Sequence, residues 1–587
     1  MSVGQVVLML HSHLPYYRKH GMWPFGEENL YECMAETYIP LLDALYELRD
    51  EGIKPGITVG ITPILAEQLA DAHLQQGFLE FLDARIKAAD EDLQRYPNDT
   101  LRSHSEHVAF LAQWYKDYYQ NIRNSFEHKY NHHLLPFFKQ LQDEGAIEIV
   151  TCAATHGFLP LLGQDEAVDF QIKVGVETYK QHFDRAPKGI WLPECAYRPA
   201  IPANSYRLLN GGTHPPRAGI DAFLHAHGIE YFFTEFHAIE GSERSDSRRA
   251  FGAYSSISQV PMQVQGKTGL TTYQPYFLKD YPVAVMGRCE RASFQVWSAD
   301  HGYPGDGLYR EFHKKDTESG LHYWRLTSKD SDLGAKMLYD PVLAFEQTKS
   351  HADHYVGLLS GLLGHYDYEH GEPGMIMISY DTELFGHWWF EGVSFLKHLI
   401  RGIHQHPTLT TNTASVALKA QPPKQAIELP ESTWGAGGHY HVWANDDVTW
   451  TWTYIHQAEA KLFELAGTLD VPNLSPDAAT TLNVAARQLL LLEGSDWPFL
   501  MTTGQAHDYA IERFNEHKDN FWALTEMLDT NQFDMSQVHA IAEQDNCFDF
   551  VRNDWLTEWQ RGRKQAIDQT EPFKHLRPIK IATNHTL

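Results

Sequence analysis

Hydrophobic residues recur along this chain in two rhythms. Short, unbroken apolar runs occupy residues 6–11, 57–62, 147–153, 189–192, 230–233, 294–298 and 375–379. Their length and lack of alternation predict strands buried on both faces, as in a parallel sheet. Between several of them the apolar positions fall three and four apart. In YECMAETYIPLLDALYEL these are Ala35, Tyr38, Leu41, Leu42, Leu45 and Leu48. A second set is Val108, Leu111, Trp114, Tyr115, Tyr118 and Ile122, opened by Ser105 as an N-cap. Strand and helix alternating in this way predict an α/β fold, most economically a barrel, and about seven runs make it an incomplete one.

Two stretches break the alternation. Residues 70–140 read as a helical insertion, and residues 200–258, containing NGGTHPPRAG and EGSERSDSRRAFGAYSS, read as a polar lid loop. Near Pro422-Pro423 the periodicity lapses, and beyond it NVAARQLLLLEGSDW and DYAIERFNEHKDNFWALTEML are helical. The expected organisation is therefore a catalytic unit over 1–415, an all-α C-terminal domain over 425–550 and a tail over 551–587.

Composition narrows the class. With 48 basic against 76 acidic residues the formal charge is −28, which repels phosphate backbones and anionic lipid, so neither nucleic acid nor membrane is an expected partner. The five cysteines are scattered without a CxxC pair, which argues against a disulfide framework and for a reducing compartment. The N-terminal MSVGQVVLMLHSH lacks a basic n-region and its apolar run breaks at His11, so a cytoplasmic location is expected.

The runs end in chemistry. HSHLPY places His11 and His13 on one side of the first strand, CAATHG places His156 just past the third, and Pro193 ends the fourth so that Glu194 follows it. The last run closes on Asp381, followed by Glu383, His387, Trp388 and Trp389. A His-x-His pair can be half a metal site, but no third ligand stands at suggestive spacing, so hydrogen bonding to neighbours or substrate is favoured and no metal or cofactor is expected. Two carboxylates at strand ends among Trp and His suit glycosidic cleavage. One must be ionised to meet the anomeric carbon, and the other must carry a proton for the leaving oxygen. These features alone do not say which is which.

HSHLPY, CAATHG, WLPECAYRP, YDTELFGHWW and EGSDWPFLMTTGQA resemble, in this order, the five signature regions of family-57 glycoside hydrolases. GMWPFGEENLYECMAETYIPLL, QVWSADHGYPGDGLYREFHKKD and ESTWGAGGHYHVW are similar to the 1,4-α-glucan branching enzymes of that family, and the likeness spans roughly residues 5–550. The resemblance implies a retaining (β/α)7 barrel whose helical C-terminal domain completes the cleft. It implies Glu194 as nucleophile, Asp381 as general acid/base, and Trp297, Trp434, Trp443 and Asp496 in or beside the cleft. It also implies a loop-tip tyrosine over the site, for which Tyr254 is the candidate.

A glycosyl-enzyme can be released by water, present at about 55 M, or by a glucan hydroxyl that the site holds in place. Trp23, Trp297, Trp434, Trp443 and Trp497 are the candidate acceptor platforms. The expected activity is cleavage of an α-1,4 bond in amylose or a glycogen-like polymer and its rejoining as an α-1,6 branch. The alternatives are an α-amylase or 4-α-glucanotransferase of the same family, metal-dependent deacylation using His11 and His13, and a non-catalytic glucan-binding scaffold.

Overall fold

The computed structural model describes residues 3–96, 105–203, 215–247, 260–264, 266–298, 300–559 and 578–581. Its strands, in chain order, are β1 (Gly4–Ser12), β2 (Ile57–Ile61), β3 (Ile147–Val150), β4 (Gly189–Ile190), β5 (Tyr231–Thr234), β6 (Gly241–Ser242), β7 (Gly266–Lys267), β8 (Tyr276–Leu278), β9 (Ala284–Gly287), β10 (Gly374–Asp381), β11 (Leu409–Thr411), β12 (Ala426–Glu428) and β13 (Pro578–Lys580). β6 and β7 form a small antiparallel pair of their own; of the two larger sheets, one runs β10-β1-β2-β3, with β11 also on β1, and the other runs β13-β12-β8-β9-β5-β4. All pairings in the two are parallel except β8 with β9. Two parallel bridges join the sheets, Thr151 to Ile190 and Arg288 to Met377. The pairing path β1-β2-β3-β4-β5-β9-β10 thereby returns to its start.

Residues two apart on these strands enter one core cluster: Val7 and Met9, Val150 and Cys152, Tyr231 and Phe233, Ala284 and Met286, Met375 and Met377. Val6, Leu8 and Leu10 face the other way, into the core shared with the flanking helices. Burial on both faces is why these strands read as continuous apolar runs. No disulfide forms, and all five cysteines are buried free thiols.

Several elements differ from expectation. Residues 294–298 are not a strand: Glu290–Trp297 is a helix that buries Ala292, Ser293, Val296 and Trp297, and the strand of this region is β9. A short run such as FQVWS fits both rhythms, and the three- and four-residue spacing prevails. The stretch 200–258 is not all loop, because the helix Ile220–Ala226, β5 and the helix Phe236–Glu240 lie inside it with buried faces. The range 425–550 opens on β12, and its first long helix is Thr449–Thr468. The tail is more than an appendage, since β13 pairs with β12 and Trp559 stacks on Phe223 at 4.8 Å.

The C-terminal helices grow from strong local signals. Ser475 accepts from Ala478 N and Pro476 follows it, which starts Pro476–Leu492. Every residue from Val484 to Leu492 is buried, so this helix is the hub against which His507–Thr530 packs. Leu489 and Phe514 share one apolar cluster with Ile190 and Phe232, so the helices are built directly onto the second sheet. No described helix is long and apolar enough to cross a membrane.

Candidate active site

Glu194 follows β4 after Trp191, Leu192 and Pro193. Pro193–Cys195 forms a single tight turn in which Glu194 takes φ 58° and Cys195 φ 53°, left-handed values that cost a non-glycine residue about 1–3 kcal/mol. The turn is gripped from across the sheet, for Trp434 N and Thr433 Oγ1 donate to the Glu194 carbonyl at 3.1 and 2.6 Å. The residue is 8% exposed. Each carboxylate oxygen has its own donor, Trp434 Nε1 to Oε2 at 2.9 Å and Ser495 Oγ to Oε1 at 3.0 Å. Burial pushes the Glu194 carboxyl up to about 7, with Asp496 and Asp381 adding to the rise, while the Trp434 hydrogen bond and His13 oppose it.

Asp381 ends β10, directly opposite His11 in the register. It lines a cavity with Trp297, Trp434, Glu235, His237 and Arg288. The turn after it carries Glu383, whose Oε1 accepts from Tyr38 OH at 2.5 Å and His13 N at 3.1 Å, and whose carboxyl burial pushes up to about 8. This turn is docked on a π-helical turn, Met34–Tyr38. Arg310 grips Glu36 there with two hydrogen bonds of 2.7 and 2.8 Å, and His387 N donates to Thr37 Oγ1 at 3.0 Å. Gly386 has φ 114°, and a Cβ on it would stand 1.9 Å from the Glu36 carbonyl, so only glycine closes this contact. Trp389 is buried and Trp388 stacks on Phe312 at 4.6 Å, so the two tryptophans after the turn pack against protein rather than the cavity.

The histidines form one stack. His13 and His156 rings lie 3.8 Å apart and His11 and His156 5.1 Å apart. His13 Nε2 meets Asp496 at 3.1 and 3.2 Å. Burial lowers the His13 pKa, but Asp496, Glu194 and Glu383 outweigh it and the net shift is upward. His11 and His156 are held well below the ordinary range by burial and by the charge on His13. His11 Nε2 and His156 Nε2 face each other at 3.0 Å, a hydrogen bond. Among the described residues no group of three or more His, Cys, Asp or Glu is arranged to hold a metal ion.

The aromatic candidates separate. Trp434 and Trp297 line the cavity of Asp381. Trp443 borders it too, but is 1% exposed and stacked on Phe158 at 4.7 Å, and a Cβ on Gly435 would stand 2.6 Å from its ring. Trp497 is likewise buried, with Nε1 donating to Leu491 O at 2.8 Å and Arg513 over its ring. Trp23 is 73% exposed on the loop after β1. Tyr254 lies outside the described residues.

Two loops bring this constellation together: Ser495 N donates to His156 O at 3.1 Å, and Gly157 bridges Gly494. The helical region thus supplies Ser495 to Glu194 and Asp496 to His13. A family model of glycosyl hydrolase family 57 matches residues 7–430, and one for the C-terminal region of 1,4-alpha-glucan branching enzymes matches residues 454–555. The chain belongs to glycosyl hydrolase family 57. It is 41% identical over 93% of its length to the 1,4-alpha-glucan branching enzyme of Thermococcus kodakarensis, covering 77% of that protein. The crystal structure of that enzyme superposes with a TM-score of 0.85 at 40% identity, covering 94% of this chain and 96% of the other. The branching enzyme of Pyrococcus horikoshii gives 0.81 at 38% identity, over 94% and 97% of the two chains. The alpha-amylase AmyC of Thermotoga maritima gives 0.78 at 30%, over 95% and 99%.

Within this family-57 site, Ser495 and Tyr38 were given no role by sequence reasoning. Ser495 sits inside the EGSDW signature, which marks its neighbourhood, but nothing in that signature says which atom it meets. Tyr38 falls on the buried face of a helix, where an aromatic reads as core.

Proposed function

We propose that this chain is a 1,4-α-glucan branching enzyme, that its catalytic unit is an incomplete (β/α)7 barrel with a helical C-terminal domain, and that Glu194 and Asp381 carry the chemistry. The observation that carries the reading is that the region matching branching-enzyme C-termini delivers Ser495 to a carboxylate oxygen of Glu194. The closed path of strand pairing supports the barrel.

In this reading an α-1,4-glucan lies across the cavity with its anomeric carbon facing Glu194. Glu194 in its ionised form attacks that carbon while Asp381 protonates the departing 4-oxygen, giving a covalent glycosyl-enzyme. A dry pocket makes the carboxylate costly to charge and correspondingly reactive, and the two hydrogen bonds hold the charged form. Asp381, now ionised, takes the proton from the 6-hydroxyl of an acceptor chain, which attacks from the vacated face and restores the α configuration. Trp297 and the ring of Trp434 are the surfaces on which glucose units stack.

Amylose treated with the enzyme should lose iodine colour without a matching rise in reducing ends, and subsequent debranching should release short chains. Reducing ends rising in step with the colour loss, with nothing released by debranching, would instead make it a hydrolase. That second reading is favoured by one observation, the likeness to the alpha-amylase AmyC.

A further inference from the structure

A chain of hydrogen bonds runs from Glu194 to the end of β1, where His11 pairs with Asp381 in the register. Ser495 Oγ stands 3.0 Å from Glu194 Oε1, His156 Nδ1 stands 2.8 Å from Ser495 Oγ, and His11 Nε2 stands 3.0 Å from His156 Nε2. Ser495 is wholly buried, and His156 and His11 are each 2% exposed.

Donor and acceptor counting fixes the direction of this chain. An ionised carboxylate only accepts, so the Ser495 hydroxyl proton points at Glu194. Ser495 Oγ must then accept from His156, which places the proton of that ring on Nδ1. His156 is neutral, so its Nε2 is bare and accepts from His11 Nε2–H. The remaining nitrogen, His11 Nδ1, is then bare as well, and it is a buried atom with no hydrogen-bond partner among the described residues. A bare imidazole nitrogen is the end this chain requires. The chain is held rigid by the stacked rings and by the Ser495 N to His156 O bond of 3.1 Å.

Building on the assignment of Glu194 as nucleophile, we propose that Ser495, oriented by His156 and His11, is a positioning residue that holds Glu194 Oε1 as a hydrogen-bonded carboxylate, so that the helical C-terminal region governs the readiness of the nucleophile. The groups that face Glu194 are Asp381 from β10, Asp496 from the helix Asp496–Thr503, His13 after β1, His156 after β3, and the thiols of Cys152 and Cys195. Replacing Ser495 leaves every one of these charges and the Trp434 bond in place. The change it makes is the loss of one donor to the charged form.

The test is the pH profile of kcat/KM for amylose cleavage in Ser495→Ala, Ser495→Thr, His156→Phe and the Ser495→Ala/His156→Phe pair, with folding checked by circular dichroism. Loss of the hydroxyl should raise the acidic limb by about one pH unit, so that cleavage well below the limb drops about tenfold while the alkaline plateau changes far less. Ser495→Thr should keep the limb of the parent enzyme. His156→Phe should move it the same way by less, and the double variant should move it no further than Ser495→Ala alone. An unmoved limb in folded Ser495→Ala, or shifts that add in the double variant, would overturn the proposal. Should Ser495→Ala not fold, His156→Phe decides by the same criterion. Glu194→Gln, run alongside, separates the two levels: if it cleaves glucan, the assignment of the nucleophile itself fails.

Discussion

Trp434→Phe isolates one interaction in the site. It removes the indole N–H that donates to Glu194 Oε2 at 2.9 Å and keeps an aromatic ring in the cavity wall. A hydrogen bond to a charged, buried oxygen contributes about 1.5–3 kcal/mol, which is about one to two pH units at 1.36 kcal/mol each. The Glu194 carboxyl starts near 7, so its pKa should move to about 8–9. Only the ionised form attacks, and the acidic limb of kcat/KM reports the free enzyme. At pH 6 the variant should therefore cleave amylose about 10- to 100-fold more slowly, with the deficit shrinking as pH rises through the new limb. Branch points and reducing ends counted from pH 5 to 10 give the profile. An acidic limb that stays where it was, with activity scaled down equally at every pH, would refute the reasoning.

Because the folded pKa of Glu194 lies above its ordinary value of 4.5, the associated stability is full below that value and is lost as pH rises through about 7. By pH 8 the loss approaches about 3 kcal/mol, so Glu194→Gln should raise the denaturation midpoint at pH 8 and leave it unchanged at pH 4. Trp443→Ala removes a ring that is 1% exposed and stacked on Phe158, and should cost about 3–5 kcal/mol of stability, lowering branching and hydrolysis together without altering their ratio in product analysis. Trp297→Ala, which removes part of the cavity wall, should raise reducing ends relative to new branch points on amylose. Gly386→Ala forces a Cβ into the Glu36 carbonyl and displaces the turn after Asp381, so kcat should fall about 100-fold even where circular dichroism shows a folded chain.

What could be read from the sequence follows from what burial does to a pattern. Six of the seven apolar runs overlap strands of the closed pairing path, because a strand covered on both faces has no polar positions to interrupt it. FQVWS failed because a run that short also fits a helix, and only the packing of Ala292 and Val296 decides. Glu194 is visible because a proline closes the apolar run just before it, although β4 itself ends at Ile190. Ser495 acquires its role from a contact 301 residues away, and no local signal carries that distance. The tryptophans show the same limit from the other side. Trp434 and Trp443 flank one glycine-rich loop and both border the cavity, yet Trp434 donates to Glu194 while Trp443 is 1% exposed and stacked on Phe158.

The most direct measurement of the central claim is the site of covalent attachment. Asp381→Asn incubated with an α-maltooligosyl fluoride, whose leaving group needs no proton, should form the glycosyl-enzyme and lack the base to resolve it. Mass spectrometry of the acid-quenched digest should find the sugar on the peptide GIWLPECAYRP, attached at Glu194. Sugar attached to any other side chain, or a Glu194→Gln protein that still branches amylose, would contradict the account.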